Sequence, residues 1–263
     1  MNVAGAKVLV TGGGRGIGRQ LVEGFLRDGA RVGVLERDPG LCAELRAAFE
    51  GRVQAWQCDV SDPDAVDAAI TAAAADGFEP DVLVNNAGVI HSEPLVNFTA
   101  RGDRVHARQT WREVMAADLD SVFFVTSRVV DRMIARRCKG VVISVSSIAA
   151  AGNPGQSAYS AAKAGVNALT FTWAKELGAL GLRFAAIAPG FFLGEQNRYL
   201  LIDKDTNALT QRGQQIIDHT PMQRFGEPTD LVGTVIWLVS DASRFVTGIV
   251  VPVDGGFMAY KGV

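Results

Sequence analysis

The sequence predicts an α/β protein built on one open, doubly wound parallel sheet with helices on both faces. Three observations carry that reading. Short β-branched runs alternate with Ala- and Leu-rich segments of helical spacing along the chain, and a glycine cluster stands directly between the first run and the first helical segment. In addition, 48% of the 263 residues are hydrophobic and the net charge is only −2, which excludes a disordered or fibrous chain. Parallel neighbours need a crossover that covers a sheet face, so β-α alternation implies right-handed connections and helices on both sides.

The elements follow in order. Lys7 to Val10 reads as a buried strand leading into a helix over Gly16 to Arg27. Val32 to Leu35 leads into Gly40 to Phe49, Val53 to Gln57 into Pro63 to Ala75, and Val82 to Asn85 into a long helix, Trp111 to Arg136. Val141 to Val145 precedes Ala158 to Leu180, and the strands Arg183 to Ala188 and Ile249 to Val253 flank a helix over Pro228 to Ser240. Runs this short and apolar are strands covered on both faces, and the longer segments repeat apolar residues at helical spacing. The length predicts a single domain over 1–263. Two stretches break the alternation: the polar, Arg-rich His91 to Thr110, and Phe191 to Arg224, which has little β-pattern. Insertions of this length usually carry function. The second predicts a substrate loop over about 190–224.

Composition narrows the partners. The 26 basic and 28 acidic residues show no concentration of Lys and Arg, which argues against nucleic acid as the main partner. Met1 to Lys7 lacks the basic start and apolar stretch of a signal peptide, and no run approaches the ~20 apolar residues that span a bilayer. Cys42, Cys58 and Cys138 are odd in number and scattered without clustered His, so neither a disulfide frame nor a metal site is expected. A soluble protein of the reducing cytoplasm is the prediction.

The glycine cluster Thr11-Gly12-Gly13-Gly14-Arg15-Gly16-Ile17-Gly18 closes the first strand and opens the first helix. There a pyrophosphate meets backbone N–H groups and the positive end of a helix dipole, with no Cβ atoms in its way. Glu36 lies 18 residues past Gly18, at the end of the second strand. A carboxylate there accepts hydrogen bonds from both ribose hydroxyls of an adenosine, which favours NAD. Arg15 and Arg37 are the counter-evidence, because a guanidinium binds the additional phosphate of NADP. Asp59, after the third strand and followed by Val60, either reaches the adenine or caps the helix entered at Pro63.

Tyr159 and Lys163 are four apart in a helical segment and so project from one face. An ammonium one turn from a phenol favours the phenolate, which gives a pair able to exchange protons with an alcohol or carbonyl. Ser146 and Ser147 end the strand Val141 to Val145, at the carboxyl edge where open α/β sheets bind ligands, and 13 residues separate Ser146 from Tyr159.

These residues, TGGGRGIG at 11–18, NNAG at 85–88, SVSS at 144–147, YSAAK at 159–163 and PG at 189–190, resemble the short-chain dehydrogenase/reductase family, and the resemblance covers nearly the whole chain. It implies a Rossmann-type sheet and an NAD(P)-dependent enzyme. By position it implies that Ser146 polarises the substrate oxygen, with Ser147 the lesser choice. Tyr159 would transfer the proton, and Lys163 would support Tyr159 and hold the nicotinamide ribose. Asn86, Ala87 and Gly88 would line the adenosine ribose side, and Pro189 and Gly190 would border the cofactor. The family usually has an asparagine in a setting like Met115 to Phe123, where this sequence has Asp118. A carboxylate there offers no amide donor, and its charge acts to raise the lysine pKa. Tetramers are common in the family, so a homo-oligomer, tetramer or dimer, is expected.

Substrate choice is expected in the segment after Gly190. Gln196, Asn197 and Arg198 suit a polyhydroxylated acid, with the Arg on its carboxylate, although the same residues also read as a solvated helix start. Arg101, Arg104, His106 and Arg108 attract anions or merely solvate the surface. GEQNR at 194–198, HTPMQRFGEPTDL at 219–231 and the insertion before Trp111 resemble the branch that includes D-mannonate oxidoreductases, or fructuronate reductases. A sugar acid or polyol is therefore the expected small-molecule substrate. Phe191, Phe192 and Leu193 offer the apolar surface that a 3-oxoacyl thioester or other hydrophobic ketone would need. A scaffold that binds nucleotide without turnover is the remaining reading.

Overall fold

The computed structural model describes residues 1–102, 104–194, 198–204 and 206–259. Its seven strands are all parallel: β1 (Lys7–Thr11), β2 (Arg31–Glu36), β3 (Val53–Gln57), β4 (Val82–Asn85), β5 (Val141–Val145), β6 (Arg183–Pro189) and β7 (Ile249–Val253). They lie in the order β3-β2-β1-β4-β5-β6-β7. The strand order reverses between β1 and β4, so the connections leaving these two strands run in opposite directions and open a crevice at the carboxyl edge.

Apolar side chains from the two sheet faces form two cores. One joins Val8, Val10, Val32 and Ile143 to α1 (Gly16–Arg27), α2 (Pro39–Ala48) and α9 (Val232–Val239). The other joins Leu9, Leu83, Val142 and Phe184 to α3 (Pro63–Ala75), α5 (Ser121–Ala135) and α6 (Ser157–Leu177). Alternate residues of each strand face opposite layers, which is why the strands read as continuous apolar runs.

Three departures from the sequence reading bear on the site. The long helix begins earlier, as α4 (Arg108–Met115), and passes into α5 through a π-helical turn, Ala116–Asp120. A π turn shifts the helical register by one residue, and such turns recur at functional positions. Residues 191–224 contain two short helices, α7 (Arg198–Leu201) and α8 (Gln211–Asp218). The 91–110 insertion folds back on itself through a Val96–Val105 bridge, with the Asn97 N–H donating to Arg104 and the His106 N–H to Leu95. No helix among the described residues is long and apolar enough to cross a membrane.

Candidate active site at the carboxyl edge of the sheet

The glycine loop is locked from behind. Gly12 has φ +64° and its N–H donates to Leu35 O at 2.8 Å. The Asn86 side-chain amide donates to the carbonyls of Thr11 and Gly12, while Thr11 Oγ1 accepts from the N–H groups of Asn86 and Ala87. A Cβ on Gly18 would stand 2.1 Å from Gly12 O, so the helix approaches the loop only because that position is glycine. Asn86, which the motif assigns to the adenosine side, thus spends its amide on the loop itself.

This arrangement fits a dinucleotide. Arg15, the N-cap of α1, contributes no side-chain hydrogen bond, no acid occupies the first turn, and a Cβ on Gly16 would meet nothing within 4 Å. The α1 N-terminus with Gly16, Ile17 and Gly18 therefore presents backbone donors and a positive dipole end to open space, as a pyrophosphate requires. Glu36 ends β2 beside this loop, where its two carboxylate oxygens accept from the N–H groups of Gly14 (3.1 Å) and Asp38 (3.2 Å). Asp59 does not cap α3. Asp62 does, accepting from Asp64 and Ala65, while Asp59 Oδ1 accepts from the hydroxyl and N–H of Ser61. The Ser61 hydroxyl bond outweighs desolvation and holds the Asp59 carboxyl below its ordinary range.

Tyr159 and Lys163 project from α6 as their spacing predicts, with the ammonium 5.6 Å from the centre of the phenol ring. Tyr159 forms a small buried cluster with Val114, Ala149 and Ala158. Lys163 Nζ lies 2.9 Å from Asp118 Oδ1 and donates to Val145 O at 3.1 Å. Asp118 is fully buried in the π turn and accepts the Val89 N–H through its other oxygen. Burial opposes the charge on Lys163, but the Asp118 carboxylate, with Tyr159 second, outweighs it and raises the lysine above its usual range.

Gly88 makes this contact possible. A Cβ there would stand 2.4 Å from Asp118 Oδ1 and 3.4 Å from Lys163 Nζ. We predict that Gly88→Ala forces the pair apart, lowers kcat at least tenfold and costs about 1–3 kcal/mol, as overpacking does. Thermal unfolding and steady-state rates would check this; a variant with parental kcat and Tm contradicts it.

The two serines diverge. Ser146 Oγ is buried and donates to Asn167 Oδ1 at 2.6 Å, with Lys163 O at 3.3 Å. A hydroxyl has a single proton, and here it is directed into α6. Ser147 is partly exposed and accepts from the Ala149 N–H at 3.1 Å; among the described residues its own proton has no acceptor. Spacing to Tyr159 selects Ser146, whereas hydrogen bonding leaves Ser147 the hydroxyl with a proton to offer. Sequence reasoning missed Asn167, although it continues the Tyr159, Lys163 face at four-residue steps.

Pro189 ends β6, and a Cβ on Gly190 would lie 2.7 Å from Asp254 Cα. Phe192 is buried in the core against Gly226, and Phe191 packs on the Phe257 ring at 5.0 Å between centroids. Gln196 and Asn197 lie outside the described residues. Arg198 is exposed and donates to Asn207 Oδ1 at 3.1 Å.

A glycine-loop crevice facing a tyrosine–lysine pair defines a nicotinamide-dependent oxidoreductase acting on a secondary alcohol or ketone. Comparison with known proteins agrees. Residues 12–258 match the family model described as enoyl-(acyl carrier protein) reductase, and the chain belongs to the short-chain dehydrogenase/reductase family. It is 36% identical to the uncharacterized oxidoreductase UxuB of Bacillus subtilis (strain 168), covering 100% of this chain and 98% of that protein. It is 35% identical to gluconate 5-dehydrogenase of Gluconobacter oxydans (strain 621H), covering 97% and 95%. It is 32% identical to the 3-oxoacyl-[acyl-carrier-protein] reductase FabG of Thermotoga maritima, covering 98% and 100%. Among solved structures, a gluconate 5-dehydrogenase from Burkholderia cenocepacia J2315 in complex with NADP and tartrate matches with TM-score 0.87 at 32% identity, covering 97% of this chain and 96% of that one.

Proposed function

We propose that this enzyme interconverts a secondary alcohol and a ketone on a sugar acid, of the gluconate or mannonate/fructuronate type, with NAD as the preferred cofactor. One observation carries the substrate choice: Phe191 and Phe192, two of the three apolar residues that would favour an acyl ketone, are spent on the fold, against Phe257 and Gly226. The similarity to a gluconate 5-dehydrogenase supports the same reading; that to a 3-oxoacyl reductase keeps the acyl ketone as the alternative. The test is to mix the protein with NADH or NADPH and a panel of keto sugar acids and acyl ketones, and to follow nicotinamide absorbance. Turnover confined to acyl ketones would overturn the proposal.

When bound, the nicotinamide supplies or accepts the hydride. The chain handles the proton. In the oxidising direction Tyr159 Oη takes the hydroxyl proton of the alcohol, and in the reducing direction it returns that proton to the carbonyl oxygen. Lys163, held by Val145 O and Asp118, keeps a positive charge beside the phenol, and it would hold the nicotinamide ribose when the cofactor is bound. The Ser147 hydroxyl donates to the substrate oxygen, while Ser146 ties the end of β5 to α6 through Asn167. Ser147→Ala should lower kcat about 10²-fold, as loss of a positioned donor does, and Ser146→Ala less than tenfold; the reverse order would return the role to Ser146.

Glu36 sets the cofactor. Its carboxylate, beside the glycine loop, would repel the additional phosphate of NADP, with Arg15 and Arg37 as the opposing cations. Glu36→Gln should raise kcat/KM for NADP at least tenfold while lowering it for NAD; an unchanged ratio would remove Glu36 from the discrimination. The same reading includes a cytoplasmic homo-oligomer, with Phe123 of α5 and Phe171 of α6 as exposed apolar residues available for assembly.

A further inference from the structure

The insertion begins at the site itself. The Val89 N–H donates to Asp118 Oδ2 at 3.2 Å. Three residues on, Ser92 Oγ accepts from the Gln156 side-chain amide at 3.1 Å, and Glu93 bridges Gln156 along the backbone. Gln156 is the N-cap of α6, three residues before Tyr159. The segment Val89 to Ser92 is therefore strung between the buried Asp118–Lys163 pair and the start of the Tyr159 helix. Four residues reach about 13 Å at most, so its side chains stand at the mouth of the site. Ile90 and His91 are exposed there.

His91 is backed by a carboxylate. Its Nε2 lies 3.4 Å from Glu93 Oε2, and the same oxygen lies 3.6 Å from His106 Nδ1. Glu93 Oε1 accepts the Ala107 N–H at 2.9 Å. That bond first, and the two histidines after it, hold the Glu93 carboxyl below its ordinary range, so it is an ionised partner that orients the imidazole. With Nε2–H turned to Glu93, Nδ1 is the nitrogen left for a ligand, and it donates to a carboxylate when the ring carries both protons.

We infer that His91 is the residue that binds the carboxylate of the substrate, with Glu93 and His106 as positioning residues behind it. This rests on the sugar-acid reading above and assigns the recognition to the start of the insertion rather than to the 190–224 segment. A charge-assisted hydrogen bond at the end of the substrate remote from the reacting carbon acts on binding more than on the chemical step.

The test compares parent and His91→Gln on D-fructuronate and 5-keto-D-gluconate, each against the ketose that carries CH₂OH in place of the carboxylate, D-fructose and L-sorbose. The ketoses are measured as substrates or as competitive inhibitors. His91→Gln should raise KM for the acid about tenfold or more, leave kcat within about twofold, and leave the affinity for the ketose unchanged. A second variant, His91→Asn, should show the same split if the first folds poorly. Equal shifts for acid and ketose, or no shift for either, overturn the role of His91. A parent enzyme that reduces acyl ketones but no sugar acid overturns the substrate reading itself, and the proposal with it.

Discussion

Replacing Tyr159 with Phe should lower kcat by about 10²–10⁴-fold, the range a positioned general acid or base supplies, while leaving the cofactor Kd and the Tm close to parental values. The phenyl ring keeps its place in the cluster with Val114, Ala149 and Ala158, and only the proton-carrying oxygen is lost. Single-turnover rates with NADH, together with a fluorescence titration of cofactor binding, separate chemistry from binding. Parental turnover in this variant would remove the phenol from the mechanism and leave the Lys163 ammonium without a function in proton transfer.

Substitution of Asp118 should have the second-largest effect, and its sign follows from the charge balance. The carboxylate raises the pKa of Lys163 against the burial that opposes its charge. Asp118→Asn removes that support while keeping an acceptor for the Val89 N–H. Lys163 then loses its proton at lower pH, so the alkaline limb of the pH–rate profile should move to lower pH. Activity at neutral pH should survive. Asp118→Leu keeps neither charge nor acceptor. An uncompensated buried ammonium costs about 3–5 kcal/mol, which should appear as a large fall in Tm. A pH profile for Asp118→Asn that overlays the parent would show that Asp118 does not tune Lys163 during turnover.

Much of the site was legible in the sequence because helix and strand periodicity are local properties. Tyr159 and Lys163 share a face by spacing alone, and the glycine cluster declares its position between β1 and α1. The choice between two serines was not legible. Ser146 and Ser147 are neighbours at the end of a strand, where successive side chains point to opposite sides, and a residue count to Tyr159 cannot say which hydroxyl meets Asn167. Nor was it legible that Asp62, rather than Asp59, caps α3.

The sequence by itself determined the alternation of elements, the parallel sheet, the glycine loop and the tyrosine–lysine face, since each follows from patterns within about twenty residues. Tertiary structure alone decided that Asp118 and Lys163 form a buried pair beneath Gly88, that Phe191 and Phe192 pack into the fold, and that the segment Val89 to Ser92 runs from Asp118 to Gln156. Those relations join residues tens of positions apart in the chain. Their energies depend on burial and on which partner reaches a given atom first, quantities that exist only once the sheet has brought its carboxyl edge together.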